Sequence, residues 1–190
     1  MIKDKKILLA SNSPRRKELL QGLELDFEVV KLPDIDESYP SHLKNEEIAI
    51  HISANKANAY KTFLKTGQIL LTADTIVCLE DQVFGKPTDR EHAINMLKEL
   101  SDKTHQVITG VTLCTAEKEV SFASVTHVTF APLTEAEIIY YVDKFKPFDK
   151  AGSYGIQEYI GYIAVKSIDG SYFNVMGLPV HKVYSELCKF

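Results

Sequence analysis

The sequence predicts a mixed α/β domain whose sheet is partly antiparallel and flanked by helices. Segments of strand composition alternate along the chain with segments of helical periodicity, which is the pattern of an α/β fold. Two strand-like segments, residues 107–115 and 120–130, are separated only by a short polar turn, and this arrangement predicts an antiparallel hairpin. No linker rich in glycine, serine or proline divides the chain, so residues 1–190 are expected to form a single domain.

Residue type and spacing predict the individual elements. Short apolar runs rich in β-branched residues indicate strands, and apolar residues at helical spacing indicate helices. Proline in a first turn and glycine after a last turn mark helix ends. In the first half of the chain these signals predict strands at residues 7–10, 27–31 and 69–79, helices at 14–22 and 45–65, and a short return strand at 83–84.

Two capping boxes mark helices in the second half. A threonine followed three residues later by a glutamate satisfies backbone donors at a helix N-terminus. Thr88 and Glu91 have this spacing and predict a helix that ends at Leu100, and Thr134 and Glu137 predict the next helix. The remaining expected elements are a loop at residues 151–155, a strand at 159–168 and a helix at 178–187.

The composition is that of an ordinary globular chain, with 45% hydrophobic and 25% charged residues. The formal net charge of −4 argues against general binding to nucleic acid or to a membrane surface, and an anionic ligand must meet a local basic cluster. The three cysteines lack metal-type spacing, as expected of thiols in a reducing compartment. Apolar runs are far shorter than the roughly 20 residues that span a bilayer, and we expect a cytoplasmic protein.

The segment from Ser11 to Arg16 is a candidate phosphate site. It follows an apolar strand and combines the hydroxyls of Ser11 and Ser13, a predicted helix N-terminus, and the guanidinium groups of Arg15 and Arg16. The helix dipole contributes only about 0.3–1 kcal/mol, so the arginines must supply most of the attraction for a phosphate. The alternative is an ordinary helix start with solvated charges.

Asp74 is a candidate catalytic acid because the segment Ala73–Thr75 directly follows the apolar run of residues 69–72, and open α/β sheets tend to place ligands at the carboxyl ends of strands. The alternative is an aspartate that caps the next turn. Further charged candidates are Asp36 and Glu37, whose carboxylates suit a hard divalent cation, and Lys56 and Lys86, which suit phosphate. Taken alone, each of these residues is equally typical of an ordinary charged side chain on the protein surface.

The segment from Asp149 to Gln157 combines two glycines, an aromatic residue and an amide, a composition that can recognise the edge of a base. The alternative is a tight strand entry with Gln157 exposed to solvent. The chain has no H-E-x-x-H motif, no Walker-type loop and no G-x-G-x-x-G fingerprint, which argues against these kinds of metal and nucleotide site.

Taken together, these segments resemble the Maf-like nucleotide pyrophosphatases, also described as Maf-like septum formation inhibitors, over essentially the whole chain. The resemblance is carried by eight pieces in order: residues 11–16, Asp36-Glu37, Lys56, residues 73–75, residues 85–87, residues 105–110, residues 149–157 and residues 177–179. One interruption follows Gln157, where Glu158-Tyr-Ile-Gly161 stands in place of the Gly-x-Gly of many members. The fold implied is an elongated mixed sheet in two lobes around a cleft, as in the inosine triphosphate pyrophosphatases.

The activity implied is hydrolysis of a nucleoside triphosphate between its α and β phosphates, which yields the monophosphate and pyrophosphate. Asp74 matches the catalytic acid–base position, and Arg16, Lys56 and Lys86 match residues that hold phosphates. Glu37 matches a carboxylate connected with activity or metal binding. The implied cofactor is Mg²⁺ or Mn²⁺ held by Glu37 and Asp74.

The resemblance also indicates the substrates. Arg15, Thr75 and Gln157 match the specificity positions of the branch that acts on dTTP and UTP. A glutamine amide both donates and accepts, which fits the adjacent oxygen and N–H of a uracil or thymine edge. A homodimer is a further expectation from the family likeness.

Full proton transfer from water to an isolated aspartate would cost about 16 kcal/mol, which predicts help from a divalent cation. Two alternatives remain open. One is a nucleotide-binding regulator of cell division without significant turnover, which would have no use for Asp74 as an activating carboxylate. The other is a phosphodiesterase acting on nucleic-acid ends, which the net charge disfavours.

Overall fold

A computed structural model describes residues 5–31 and 35–190. The strands among these residues are β1 (Lys6–Ala10), β2 (Phe27–Val30), β3 (Gln68–Leu79), β4 (Gln82–Phe84), β5 (Thr104–Cys114), β6 (Glu119–Phe130) and β7 (Val165–Asp169). These seven described strands form one sheet in the order β2-β1-β3-β5-β6-β7, and β4 pairs with β3. Strand β1 pairs in parallel with β2 on one side and with β3 on the other.

Antiparallel pairs join β3 to β4 and β6 to β7, so the predicted mixed α/β class is confirmed. The helices are α1 (Pro14–Gln21), α2 (Glu46–Lys61), α3 (Arg90–Leu100), α4 (Glu135–Phe145), α5 (Tyr159–Ala164), α6 (Tyr172–Met176) and α7 (Val180–Leu187). None of the helices among the described residues combines the length and the apolar character needed to span a bilayer.

Two sequence predictions are wrong. The strand expected at residues 159–168 is a helix over its first six residues, and only Val165–Asp169 is a strand. Apolar and aromatic residues are compatible with both periods, and a run this short does not distinguish them. The capping box at Thr88 does not form, because Asp89 is the N-cap of α3 and accepts from the His92 N–H. The box formed by Thr134 and Glu137 at α4 is confirmed.

The chain divides into two compact units. The first contains residues 1–74, 109–124 and 177–190, and the second contains residues 75–108 and 125–176. Strands β3, β5 and β6 each supply residues to both units. The single domain expected from the sequence stays a prediction.

In the first unit, helix α2 packs against strand β5 at very short range. Gly110 of β5 lies against the α2 backbone, where an added Cβ would come within 2.2 Å of the Ala49 carbonyl group. Such a distance leaves no room for any side chain. Because of this contact, α2 lies closer to the sheet than ordinary side-chain packing would permit.

The second unit has its own hydrophobic core under helices α3 and α4. Apolar residues recur along α3 with helical spacing and are buried as one face, as the sequence pattern predicts. Phe84 at the end of β4 and Phe130 at the end of β6 are both buried in this core. Tyr141 of α4 is also fully buried there, with its ring stacked on Phe145.

The close approach at Gly110 gives a direct test of the α2 position. We expect Gly110→Ala to lower the free energy of unfolding by about 1–3 kcal/mol or more, because the methyl group must displace helix backbone. Gly85→Ala is the matched control, since an added Cβ there meets nothing within 4 Å. Urea denaturation of both variants checks this, and equal stability would contradict the tight packing.

Candidate active site

Lys56 lies on the buried face of helix α2. The buried residues of this helix form a stripe two residues wide that recurs at each turn, namely Ile48, Ala49, Ile52, Ser53, Lys56 and Ala57. Lys56 is therefore the charged member of an otherwise apolar or small stripe, and only 8% of the residue is exposed. A buried ammonium group needs anionic partners, since an unpaired charge in the interior costs several kcal/mol.

Asp74 of strand β3 supplies the first partner. The Lys56 ammonium donates to Asp74 Oδ1 at 2.6 Å, and the Asp74 side chain is 13% exposed. Two residues earlier on the same strand face, the Thr72 hydroxyl donates to the Ser53 carbonyl at 2.7 Å. The two contacts are separated by two residues on β3, about 6.7 Å, and by three residues on α2, about 4.5 Å. Both contacts form because the two strand residues share one face of β3 and the two helix residues share the buried face of α2.

Glu37 supplies the second partner. Its Oε1 atom lies 2.8 Å from the Lys56 ammonium, and its side chain is 46% exposed. The structure thus brings Glu37, Lys56 and Asp74 together around one positive charge. Asp36 has a different place, because its carboxylate accepts from the backbone N–H and the hydroxyl of Ser38 at the surface. These hydrogen bonds lower the pKa of Asp36.

Arg16, in the first turn of α1, donates hydrogen bonds to backbone carbonyls beside the cluster of Glu37, Lys56 and Asp74. Its Nε donates to the Gly177 carbonyl and one terminal nitrogen donates to the Ala73 carbonyl, both at 2.8 Å. Burial lowers the pKa of the guanidinium, and the nearby carboxylates of Asp74 and Glu37 act in the opposite direction. Arg16 therefore holds strand β3 at the residue that precedes Asp74. Asp74 lies inside β3, which continues to Leu79, so the expectation that it follows the carboxyl end of a strand is wrong.

The serines of this segment organise the start of α1. Ser13 is the N-cap, and its hydroxyl accepts from the Arg16 backbone N–H at 3.4 Å. The buried Ser11 hydroxyl accepts from the Ser13 N–H at 3.2 Å and from the Arg16 guanidinium at 3.5 Å. Arg15 is partly exposed beside Arg16. The sequence predicted the start of the helix at residue 14 but neither the Ser13 cap nor the use of Arg16 to hold backbone carbonyls.

The second unit contains the other predicted site residues, Thr75, Lys86 and Gln157. Lys86 is exposed, and the residue before it, Gly85, accepts through its carbonyl from the Gly152 N–H at 3.1 Å. Gln157 is partly buried, and its Oε1 atom is buried without a hydrogen-bond partner among the described residues. The expectation that all the candidates meet in one pocket stays a prediction.

The sequence analysis did not anticipate the polar contacts among Tyr141, Lys150 and Glu158 near Gln157. The Tyr141 hydroxyl donates to Glu158 Oε2, and Lys150 pairs with Glu158 Oε1 at 3.0 Å and with Asp149 at 2.8 Å. Burial raises the pKa of Tyr141, and the bond to Glu158 raises it further. The one available signal was Glu158 itself, which interrupts the family pattern directly after Gln157.

The donor set around Lys56 fits a divalent cation shared with a substrate. Among residues 5–31 and 35–190, no group of three or more histidine, cysteine, aspartate or glutamate side chains is placed to hold a metal. Glu37 and Asp74 supply two carboxylates that already approach one point of positive charge. Mg²⁺ is commonly bound by one or two carboxylates together with substrate phosphates and water, and this pair meets that requirement.

Solved structures define the class of fold. A Ham1 protein from Coxiella burnetii has a TM-score of 0.52 at 17% identity, with 98% of this chain and 100% of that chain covered. The Staphylococcus aureus Ham1 protein has a TM-score of 0.52 at 18% identity, with coverages of 96% and 98%. These likenesses confirm the expected inosine triphosphate pyrophosphatase-like fold.

Residues 6–190 match the Maf-like protein family, and the chain belongs to that family. Three similar relatives are each named dTTP/UTP pyrophosphatase. The Bacteroides thetaiotaomicron protein is 57% identical over 96% of this chain and 95% of its own length. The Bacteroides fragilis protein is 59% identical, with coverages of 96% and 94%, and the Parabacteroides distasonis protein is 56% identical, with coverages of 100% and 98%.

Proposed function

We propose that this protein is a nucleoside triphosphate pyrophosphatase that hydrolyses dTTP and UTP to the monophosphate and pyrophosphate. One observation carries the proposal: a buried lysine ammonium is shared by two carboxylates, and an arginine holds the strand backbone directly before one of them. The relatives that share more than half of their residues with this chain have names that give the same activity and the same two substrates.

The charges of the first unit favour an anionic substrate that arrives with a cation. Arg15, Arg16 and Lys56 carry three positive charges, and Glu37 and Asp74 carry two negative ones. A triphosphate brings roughly four more negative charges, so these side chains alone leave a large excess of negative charge. We propose that a divalent cation and Lys86 supply the missing positive charge.

Glu37 and Asp74 are the residues proposed to hold the divalent cation. When bound, the ion supplies Lewis-acid neutralisation of the charge that develops on the phosphate oxygens. Lys56 now occupies the point between the two carboxylates, so we expect its ammonium to move toward phosphate when the ion binds. A flexible four-carbon stem with three donors permits this exchange of partners.

In the proposed reaction, water attacks the α-phosphorus while Asp74 accepts a proton from it. The bond from the α-phosphorus to the bridging oxygen breaks, and pyrophosphate leaves with the bonding electron pair. Lys56, Lys86 and Arg16 neutralise the charge on the phosphates, and Arg16 also keeps Asp74 in position through the Ala73 carbonyl. Phosphoryl chemistry depends mainly on such positioning and charge stabilisation.

The remaining assignments concern recognition. We propose that Ser11 and Ser13 donate to phosphate oxygens, and that Arg15, Thr75 and Gln157 contribute to the choice of dTTP and UTP. The regulator of cell division remains the alternative function, and the phosphate ligands are common to both. Asp74 favours the enzyme, because a protein that only senses nucleotides gains nothing from a carboxylate held this firmly beside cationic phosphate ligands.

A cytoplasmic location and a homodimer stay predictions. A divalent-metal requirement stays a proposal as well.

The Asp74 assignment predicts a loss of chemistry without loss of binding. We expect Asp74→Asn to lower pyrophosphate release from dTTP and UTP by at least about 100-fold, because the amide cannot take the proton. The measurement is pyrophosphate and orthophosphate release with Mg²⁺ or Mn²⁺ and with chelator. Asp102→Asn is the control, since Asp102 is exposed at a left-handed backbone position that asparagine tolerates. Orthophosphate as the first product would contradict the cleavage site.

Because the Lys56 ammonium is shared by both carboxylates, removing it is expected to strengthen metal binding rather than weaken it. We expect Lys56→Met to strengthen Mn²⁺ binding in the absence of nucleotide by at least about tenfold, because the competing charge is removed from both carboxylates. Lys61→Met is the control on the same helix, where the lysine pairs instead with Glu119. Calorimetric titration with Mn²⁺ alone measures both. Unchanged or weaker binding in Lys56→Met would reject Glu37 and Asp74 as the ligands.

The proposed role of Gln157 in base recognition predicts that its substitution lowers activity toward dTTP and UTP more than toward other triphosphates. We expect Gln157→Glu to lower kcat/KM for dTTP and UTP together by about 10-fold or more, since the carboxylate lacks the amide donor. Gln106→Glu, at a partly exposed position where the amide contacts His127, serves as the comparison. Initial rates across the common triphosphates test this, and unchanged relative rates would show that Gln157 does not read the base.

A further inference from the structure

Helix α2 and the beginning of strand β3 run in opposite directions. The helix ends at Lys61 and the strand begins at Gln68, so the chain reverses in the short segment between them. Ser53 lies eight residues before the helix end, which is about 12 Å of helix, and Thr72 lies four residues into the strand, which is about 13 Å. The two lengths match, and the reversal therefore brings Ser53 and Thr72 side by side.

Lys56 has to reach back along the helix to meet Asp74. Lys56 lies three residues after Ser53 on α2, about 4.5 Å toward the C-terminal end of the helix. Asp74 lies two residues after Thr72 on β3, about 6.7 Å toward the N-terminal end of the helix, because the two elements run in opposite directions. Side chains on a helix lean toward its N-terminus, so the Lys56 stem has the direction that this contact requires. A stem that spans both offsets is extended and has little slack, so a slip of α2 along β3 would draw the ammonium away from Asp74.

Thr72 supplies a hydrogen bond that opposes such a slip. Thr72 and Ser53 are both 0% exposed, and the Thr72 hydroxyl donates to the Ser53 carbonyl at 2.7 Å. Valine has nearly the shape of threonine and would fill this place in a buried strand without a polar group that needs a partner. The hydroxyl therefore contributes a directional contact between β3 and α2 that apolar packing would not provide.

Thr112 of strand β5 holds the same helix turn from the neighbouring strand. The Ser53 hydroxyl donates to the Ile50 carbonyl at 2.9 Å, which uses its one hydrogen, so in its 3.0 Å contact with Thr112 the Thr112 hydroxyl is the donor. The Thr112 oxygen then accepts from the Ser121 hydroxyl at 2.9 Å. Ser53 is thus held through its carbonyl by β3 and through its hydroxyl by β5.

We propose that Thr72 and Thr112 are positioning residues that fix the place of the Lys56 ammonium between its two carboxylates. We call Thr72 and Thr112 the hydroxyl pair. Both act through Ser53, which precedes Lys56 by three residues on the buried face of α2. The inference rests on the proposed function, because it concerns how a lysine proposed to neutralise phosphate charge is held in place for the reaction.

Conservative substitutions separate the hydroxyl bonds from the packing of these residues. Thr72→Val and Thr112→Val each remove one hydroxyl and keep a side chain of similar shape. Thr72→Ser tests rescue, because a serine hydroxyl can still donate to the Ser53 carbonyl. Thr126→Val is the matched control in the second unit, where the hydroxyl of the fully buried Thr126 donates to the Ser171 carbonyl at 3.1 Å.

The first measurement follows the Lys56 ammonium itself, through its rate of acetylation by a soluble N-hydroxysuccinimide ester and mass spectrometry of the peptides. Lys150 is the internal reference, because both lysines are 8% exposed and each is paired with two carboxylates. We expect Lys56 to react about two- to tenfold faster in Thr72→Val and in Thr112→Val, the equivalent of one buried hydrogen bond. Lys150 should change by less than about twofold in these variants, and Thr72→Ser and Thr126→Val should leave Lys56 within about twofold of the wild-type rate.

The second measurement tests the consequence for the proposed reaction. We expect kcat/KM for pyrophosphate release from UTP to fall by about tenfold or more in Thr72→Val, since a small displacement of a positioned group costs a large factor in rate. Thr72→Ser and Thr126→Val should retain kcat/KM within about threefold. Urea denaturation shows whether each variant is folded at the assay temperature.

Each outcome decides the proposal. An unchanged Lys56 rate in Thr72→Val, or an equal rise at Lys56 and Lys150, would overturn the hydroxyl pair, as would a Thr72→Ser protein that behaves like Thr72→Val. If Thr72→Val does not fold, the same comparison of the two lysines in Thr112→Val decides. The acetylation rates do not depend on turnover, so failure of the proposed function appears separately, as absent pyrophosphate release by the wild-type protein.

Discussion

The candidate active site depends on the cost of placing one positive charge on the buried face of a helix. Lys56 lies on the stripe that α2 turns toward the sheet, and water is largely excluded there. The ammonium is stable in this place only because Asp74 and Glu37 neutralise it from two different parts of the chain. A structural ion pair would need only one carboxylate. The second carboxylate is the reason for our proposal that Lys56 exchanges partners when a triphosphate and its metal bind.

The surrounding fold serves mainly to keep this cluster aligned. Gly110 permits α2 to approach β5, and the Thr72 hydroxyl ties the helix to β3 one turn before Lys56. Arg16 then holds the carbonyl of Ala73, so the part of β3 that carries Asp74 is fixed. These contacts are a close backbone approach, a hydroxyl hydrogen bond and a charged guanidinium hydrogen bond, and together they limit the movement of Lys56 and Asp74 to far less than a free loop would allow.

Recognition of the base poses a different physical problem. Charge dominates the handling of the phosphates, whereas uracil and cytosine differ only in the order of a donor and an acceptor. The residues proposed for phosphate chemistry belong largely to the first unit, and Gln157 belongs to the second. In the second unit a buried tyrosine hydroxyl, a glutamate and a lysine surround the turn that carries the amide.

The sequence by itself determined the α/β class, most strands and helices, the Thr134 cap and the family, because periodicity, capping residues and ordered motifs are local signals. It misassigned Tyr159–Ala164, where a short apolar run suits both periods and only packing decides. It also nominated Glu37, Lys56 and Asp74 but did not show that the lysine would bridge the two acids. That bridge, the Arg16 contacts and the Tyr141–Glu158 pair join residues that are 17 to 161 positions apart, and only the tertiary structure decided them. The physical reason is that such contacts depend on strand register and helix approach, which no local stretch of sequence specifies.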